Sequence, residues 1–323
     1  MSPRPMNLLL IGPLRPVLAK GLADFTVHQL GAATDREAFW KSVADVPAMA
    51  VSAPVEPINA ALYARLPNLE IIASFGVGYD HIDAAAAAQH GMVVTNTPDV
   101  LTEEVADTAV GLLICTVREL PQAERYLRAG KWPNANYPLS RATLRNRTVG
   151  LVGMGRIGQA IARRLEAFGV PIAYHTRQPR ADLPYPHYPQ LIDMAKAVDT
   201  LVVIVPGGAA TRNMIDAKVL EALGPDGILV NVARGSVVDE AALIEALKQR
   251  KIFAAGLDVF VNEPEVPAEL LALENAILLP HLGSASVYTR EKMDQLLVDN
   301  LLAWSRGEAP LTPVPETPWQ AWR

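Results

Sequence analysis

Residues 148–168, TVGLVGMGRIGQAIARRLEAF, restrict the fold more than any other part of the chain. The first six form a short apolar run of the kind that makes a buried parallel strand. Gly153, Gly155 and Gly158 follow with the spacing Gly-x-Gly-x-x-Gly. Ile157, Ile161 and Leu165 then recur every four residues, as one face of a helix requires. Such glycine spacings also arise by chance, but between a strand and a helix each glycine acquires a physical task. Gly153 permits the tight turn, Gly155 lets the backbone approach a pyrophosphate, and Gly158 lets the helix pack against the strand. Free N–H groups and a partial positive charge at the helix N-terminus suit phosphates. The stretch therefore predicts a dinucleotide site built on Gly153, Met154, Gly155, Arg156, Ile157 and Gly158.

The next strand, at 171–176, bears on which dinucleotide is taken. An NAD-type site ends that strand in Asp or Glu, which bonds the ribose hydroxyls. Here the end reads Tyr174-His175-Thr176-Arg177-Gln178, without a carboxylate, and Asp182 lies beyond Pro179, too far along to substitute. Thr176 offers a hydroxyl and Arg177 a guanidinium suited to a 2′-phosphate, with Arg156 and Arg180 near enough in sequence to assist. The expectation is that NADP(H) is preferred over NAD(H).

At 323 residues the chain exceeds the usual size of a single core, so two domains are expected. Short apolar runs at 7–12, 25–30, 48–53, 69–75 and 92–97 read as strands, with helical patterns at 36–43, 58–66 and 83–91 between them. A long helix is expected at 102–119 and another at 124–129. From residue 148 a second alternating series follows, with strands at 170–176, 200–205, 227–233, 252–260 and 276–280 and helices at 193–198 and 239–250. One long helix at 287–305 precedes a Pro-rich tail. Alternation of this kind builds parallel sheets with helices on both faces. The fold class expected is α/β, with two doubly wound parallel-sheet domains. A Rossmann cofactor domain at 99–284 would be inserted in a flavodoxin-like substrate domain made of 1–98 and 285–323, with ligands in the cleft between them.

The formal net charge of −5 and the absence of a basic run argue against nucleic acid as a partner. No apolar run approaches the length of a membrane span, and the first residues lack a signal-peptide pattern, so a cytoplasmic location is expected. Cys115 sits in an apolar helical run and reads as a core residue. The six histidines lack metal-ligand spacing, and no metal is expected.

Six blocks in order carry a resemblance over nearly the whole chain: 76–83 (GVGYDHID), 96–114 (NTPDVLTEEVADTAVGLLI), 149–162 (VGLVGMGRIGQAIA), 230–247 (VNVARGSVVDEAALIEAL), 256–264 (GLDVFVNEP) and 278–286 (LLPHLGSAS). The chain resembles the D-2-hydroxyacid dehydrogenases, most closely the glyoxylate and hydroxypyruvate reductases, including hydroxyphenylpyruvate reductases. The resemblance implies hydride transfer from NADPH to a small 2-oxo acid, giving the 2-hydroxy acid of D configuration where chiral. Such a reaction needs a cation for the substrate's oxygens, a proton donor beside the carbonyl, and a partner tuning that donor. Arg234 follows the strand at 227–233, where open sheets place ligands, and its fork can hold two oxygens. His281 follows the strand at 276–280, and histidine is the usual proton donor at neutral pH. Glu263, in VNEP, is placed to support the imidazole.

Further roles are implied by the resemblance alone. Val77 and Gly78 match a loop whose N–H groups bind the substrate carboxylate, and Ser284 matches a position near substrate. Thr108, Val205, Pro206, Thr211, Val232, Ala233 and Gly283 match positions lining the cofactor, and Asp258 the one holding its carboxamide. Residues 128–133, RAGKWP, resemble a segment that reaches the active site of a second subunit, implying a homodimer in which Trp132 helps shape the partner's pocket. Formate dehydrogenases are disfavoured, because they carry Gln where Glu263 stands. The alternative is a dinucleotide-sensing transcriptional corepressor on the same fold, which usually brings extra terminal interaction segments that this compact chain is not expected to have.

Overall fold

The computed structural model describes residues 6–53 and 57–319; the ends of the first expected domain, residues 1–5 and 320–323, lie outside the described residues. The chain forms two compact units. One is the continuous segment Thr102–Ala285, and the other joins Met1–Leu101 to Ser286–Arg323.

The first unit opens with β1 (Asn7–Ile11), α1 (Pro16–Gly21), β2 (Thr26–Gln29), α2 (Arg36–Ser42), β3 (Ala48–Val51), α3 (Ala60–Tyr63), β4 (Ile71–Ser74), α4 (Ala84–Gln89) and β5 (Val93–Thr95). Its five strands are all parallel, in the order β2-β1-β3-β4-β5. The period of two within β1 shows why the strand is apolar from Leu8 to Ile11. Leu9 and Ile11 enter one core with Trp40, Tyr63 and Leu66, while Leu8 and Leu10 enter the core on the opposite face. The helical pattern at 58–66 contracts to α3, which Asn59 caps by accepting from the N–H groups of Ala61 and Leu62.

The second unit begins with α5 (Thr102–Arg118) and α6 (Leu120–Arg128) and continues through β6 (Val149–Val152), α7 (Arg156–Ala167), β7 (Ile172–His175), α8 (Leu191–Ala197), β8 (Thr200–Val203), α9 (Ala217–Leu223), β9 (Ile228–Asn231), α10 (Glu240–Lys248), β10 (Ala254–Leu257), α11 (Ala268–Leu271) and β11 (Ala276–Leu278). Its six strands are also all parallel, ordered β11-β10-β9-β8-β6-β7. The order turns at β6, whose neighbours β7 and β8 both follow it in the chain. A crevice opens at the carboxyl end of a sheet at such a switch point. The helical run after residue 102 ends one residue short of the expected 119. Glu119 takes a left-handed φ of 53°, and α6 starts at once with Pro121 in its first turn.

The first unit is completed by α12 (Val287–Ser305), which starts at a Ser286 cap. Leu297, Val298, Leu301 and Trp304 of α12 join Leu8, Leu10, Ala73 and Val93 in one core. Trp304 is fully buried, and its indole N–H donates to the Glu70 carboxylate at 3.2 Å. Among the described residues no helix is long and apolar enough to cross a membrane, and no group of His, Cys, Asp and Glu is arranged to hold a metal ion.

Candidate active site

The glycine loop after β6 shows three glycines under three different constraints. Gly153 has a φ of 108°, and a side chain there would lie 2.4 Å from the Ile204 carbonyl oxygen beyond β8. A side chain at Gly158 would lie 2.4 Å from the Gly153 oxygen, so the first turn of α7 rests on the turn before it. Gly155 is the opposite case: it is exposed, and a Cβ would meet nothing within 4 Å. It is also the N-cap of α7, with no side chain bonding the helix's first N–H groups. An open, uncapped helix start beside a residue without a side chain fits a dinucleotide pyrophosphate. Met154 is buried beneath the loop, Ile157 is half-buried, and Arg156 is exposed.

At the end of β7 the Thr176 hydroxyl donates to the Gln178 carbonyl at 2.6 Å, and Arg177 is exposed with no partner among the described residues. Arg180 is placed differently from the expected helper. Its Nη2 and Nε donate to Asp182 at 2.6 and 2.9 Å, and its Nη1 reaches the Met154 carbonyl at 3.4 Å. The Arg180 bond holds the Asp182 carboxyl below the usual range. Arg177 is thus the cation left available at this strand end. After β8, the Thr211 hydroxyl donates to the Pro206 carbonyl at 2.7 Å and closes the loop that follows Val205. Val232 and Ala233 are buried, and the Thr108 hydroxyl donates to the Gly283 carbonyl at 3.4 Å.

Arg234 leaves the carboxyl end of β9 in an extended conformation, with Nη1 donating to the Ala233 carbonyl at 2.8 Å. The next residue, Gly235, packs backbone on backbone, since a Cβ there would lie 1.9 Å from the Phe260 carbonyl carbon. Beyond β10 the expected strand at 252–260 stops at Leu257, and 258–260 become loop. Glu263 then uses both oxygens: Oε1 accepts from the Phe260 N–H at 2.9 Å, and Oε2 from His281 Nδ1 at 2.7 Å. With Nδ1–H directed at the carboxylate, Nε2 is the nitrogen left to exchange a proton with a ligand. Burial alone would raise the Glu263 carboxyl. The His281 bond, the Phe260 N–H and the charges of His281 and Arg234 outweigh burial and hold it below its usual value. Arg234, Glu263 and His281 are therefore linked by geometry and field within one unit.

His281 has a left-handed φ of 54°. Asp258 gathers the turn around it, accepting the His281 N–H on its backbone carbonyl at 2.9 Å. Its carboxylate takes the N–H groups of Leu282 at 2.6 Å and Gly283 at 2.8 Å. Burial pushes the Asp258 carboxyl up, against the opposing effect of those two bonds. The carboxamide role implied by the resemblance thus falls on a side chain already organising the histidine turn. Ser284, just beyond, is half-buried.

Asn231, at the end of β9, went unnoticed in the sequence. Its Oδ1 accepts from the Ala233 N–H at 3.0 Å and its Nδ2 donates to the Arg234 carbonyl at 3.0 Å. The available signal was an amide as the last residue of an otherwise apolar strand. In the first unit, Val77 and Gly78 follow β4 in a loop fixed from beneath. Thr97 exchanges two bonds of 2.9 Å with Gly76, and Asn96 Nδ2 donates to the Val77 carbonyl at 2.8 Å. The N–H groups of Val77 and Gly78 have no acceptor among the described residues. Trp132 lies past α6 and is 61% exposed.

Comparison with known proteins agrees with this chemistry. Residues 110–283 match the family described as D-isomer specific 2-hydroxyacid dehydrogenase, NAD binding domain. A glyoxylate/hydroxypyruvate reductase of Arabidopsis thaliana is 48% identical over 256 residues, covering 79% of this chain and 82% of that protein. The 2-ketogluconate reductase of Gluconobacter oxydans is 42% identical over 316 residues, covering 97% of this chain and all (100%) of that one. The crystal structure of an NADPH-dependent glyoxylate/hydroxypyruvate reductase from Sinorhizobium meliloti, in complex with NADP and malonate, superposes with a TM-score of 0.92 at 53% identity, covering 99% of this chain and 100% of that one. A dinucleotide loop at a sheet switch point, an Arg–Glu–His group on neighbouring strand ends and these relatives lead to one conclusion: the chain is an oxidoreductase that belongs to the D-isomer specific 2-hydroxyacid dehydrogenase family.

Proposed function

We propose that the protein reduces small 2-oxo acids of the glyoxylate, hydroxypyruvate and phenylpyruvate type to 2-hydroxy acids, with NADPH as the preferred donor. The observation that carries this reading is the 2.7 Å bond between His281 Nδ1 and Glu263, which leaves Nε2 as the proton donor. A nicotinamide held at the glycine loop would supply the hydride for the carbonyl carbon. His281 gives the carbonyl oxygen its proton and regains one from solvent, so the net change is addition of hydride and proton across C=O. Glu263 fixes the tautomer and favours the imidazolium that donates. Arg234 holds substrate oxygens. In the first unit the N–H groups of Val77 and Gly78, without an acceptor among the described residues, offer two donors to a carboxylate. The relatives are reductases, so the enzyme reading is preferred to a dinucleotide-sensing corepressor.

For the cofactor, support comes from the strand end after β7, where Arg177 is available and Asp182 is engaged by Arg180. Charge-assisted bonds of about 1.5–3 kcal/mol correspond to a preference of about 10- to 100-fold. Relatives agree in kind, since the Sinorhizobium meliloti enzyme is NADPH-dependent. The test is kcat/KM for glyoxylate and hydroxypyruvate with NADPH and with NADH, in the wild type and in Arg177→Asp. The wild type is expected to favour NADPH and the variant to lose that preference. Equal use of NADH by the wild type defeats the cofactor assignment, and absence of turnover with either acid defeats the substrate assignment.

The protein is further read as a homodimer. Among the described residues, α6 buries none of its own side chains, and Leu120, Leu127 and, just past the helix, Trp132 are exposed apolar groups.

A further inference from the structure

Asn231 is 1% exposed and closes a strand flanked on both sides, by β8 and β10. A buried amide needs partners for both its ends. The Asn231 side chain finds them within a single three-residue turn, accepting from Ala233 N–H and donating to the Arg234 carbonyl, each at 3.0 Å. The same Arg234 carbonyl takes a second bond from the Val237 N–H at 3.2 Å. On its far side the turn is jammed by Gly235 against the Phe260 backbone. The N–H of Phe260 is in turn held by Glu263, the partner of His281. Arg234 itself is a long side chain whose direction is set by the peptide it leaves from, and its guanidinium bonds back to the Ala233 carbonyl at 2.8 Å. Every hydrogen bond of the Asn231 amide thus goes to the backbone that aims Arg234.

We propose that Asn231 is a positioning residue for Arg234: it holds the turn that aims the guanidinium and so governs how well the 2-oxo acid is gripped. The proposal rests on the reading of Arg234 as the substrate's cation. An aspartate at 231 keeps shape and the acceptor for Ala233, but sets a second oxygen against the Arg234 carbonyl. Asn231→Ala removes both bonds: the Ala233 N–H loses its acceptor, and the Arg234 carbonyl keeps only the Val237 N–H.

The experiment compares Asn231→Asp, Asn231→Ala, Arg234→Ala and the double variant Asn231→Asp/Arg234→Ala. It measures kcat and KM for glyoxylate at saturating NADPH, and NADPH Kd by quenching of protein fluorescence. Rates are expressed per NADPH-titrated site, so that loss of folded protein does not enter. The two Asn231 variants are expected to lower kcat/KM about 10-fold or more, mainly through KM. NADPH Kd should stay within about twofold, and Asn231→Asp should add less than about twofold to the loss already present in Arg234→Ala, as coupled residues require. Normal kcat/KM in both Asn231 variants beside an impaired Arg234→Ala overturns the inference alone. Losses that add in full, or an equal weakening of NADPH binding, also overturn it, since they mark a purely structural role. An Arg234→Ala enzyme with unaltered kcat/KM removes the substrate reading and this inference with it.

Discussion

His281 sits in a backbone conformation that costs a non-glycine residue about 1–3 kcal/mol. The three N–H groups that Asp258 collects from residues 281–283 offset that cost and keep the imidazole facing Glu263. If Nε2 of this ring gives the proton, His281→Asn should lower kcat by about 100-fold or more. Glu263→Gln should lower kcat about 10-fold or more, because Nδ1–H loses the carboxylate that fixes the tautomer. An unchanged kcat in that variant would remove Glu263 from its assigned role. The depressed Glu263 carboxyl also makes a stability statement. Its folded value lies below the ordinary 4.5, so its contribution is present above that pH and is lost as pH falls through the folded value. The melting-temperature advantage of wild type over Glu263→Gln should therefore shrink as pH falls below the ordinary carboxylate range. Arg234, Glu263 and His281 could be read from the sequence because each follows an apolar run and has a side chain that chemistry demands. Asn231 and the backbone work of Asp258 could not. A side chain bonding its own turn, or one 24 residues further on, leaves no periodic trace.

At the scale of elements, the glycine loop separates binding from packing. Gly155→Ala places a methyl group in open space at the start of α7, where a ligand phosphate is expected, whereas Gly158→Ala drives one against the Gly153 carbonyl. The first should leave stability within about 1 kcal/mol while raising cofactor Kd; the second should cost about 1–3 kcal/mol through overpacking that a backbone oxygen cannot relieve. Urea unfolding and cofactor titration read both, and a destabilised Gly155→Ala with normal affinity would reverse the assignment. The helix pair α5 and α6 supports a different expectation. If the exposed apolar surface around α6 meets a second copy, sedimentation should find a dimer at assay concentration. Hybrid dimers of Trp132→Ala with Arg234→Ala subunits then locate where the tryptophan acts; an active monomer ends both claims. Most strands among the described residues coincide with apolar runs in the sequence, because strands buried on both faces are apolar throughout; the edge strand β2, TVHQ, is partly exposed. Their ends were harder to read. The ladder at β10 stops at Leu257 although apolar residues continue through Phe260, since Asp258 turns towards the histidine loop. Glu119 breaks the long helix through a left-handed φ that no single residue type announces.

For the whole molecule, the α/β class with two parallel sheets was legible because strand and helix periods alternate along nearly the entire chain, and a parallel sheet is the ordinary outcome of such alternation. Which side chains of the last helix enter the first unit's core was not, since they lie far along the chain from the strands they cover. Segment 102–285 alone should unfold cooperatively and bind NADPH, as judged by calorimetry and fluorescence, because its sheet and both its cores are internal to it. Segment 1–101 alone should show no cooperative transition, for it lacks Leu297, Leu301 and Trp304. The same separation imposes an order in time during synthesis. At about 5–20 residues per second, about 10–40 s pass between the emergence of Leu101 and that of Ser305. Throughout that interval the nascent first unit carries a bare apolar face awaiting its lid, while the second unit has time to close. A holding chaperone would find its target in that face, and slow codons before residue 287 would lengthen the exposure without altering a single contact of the finished enzyme.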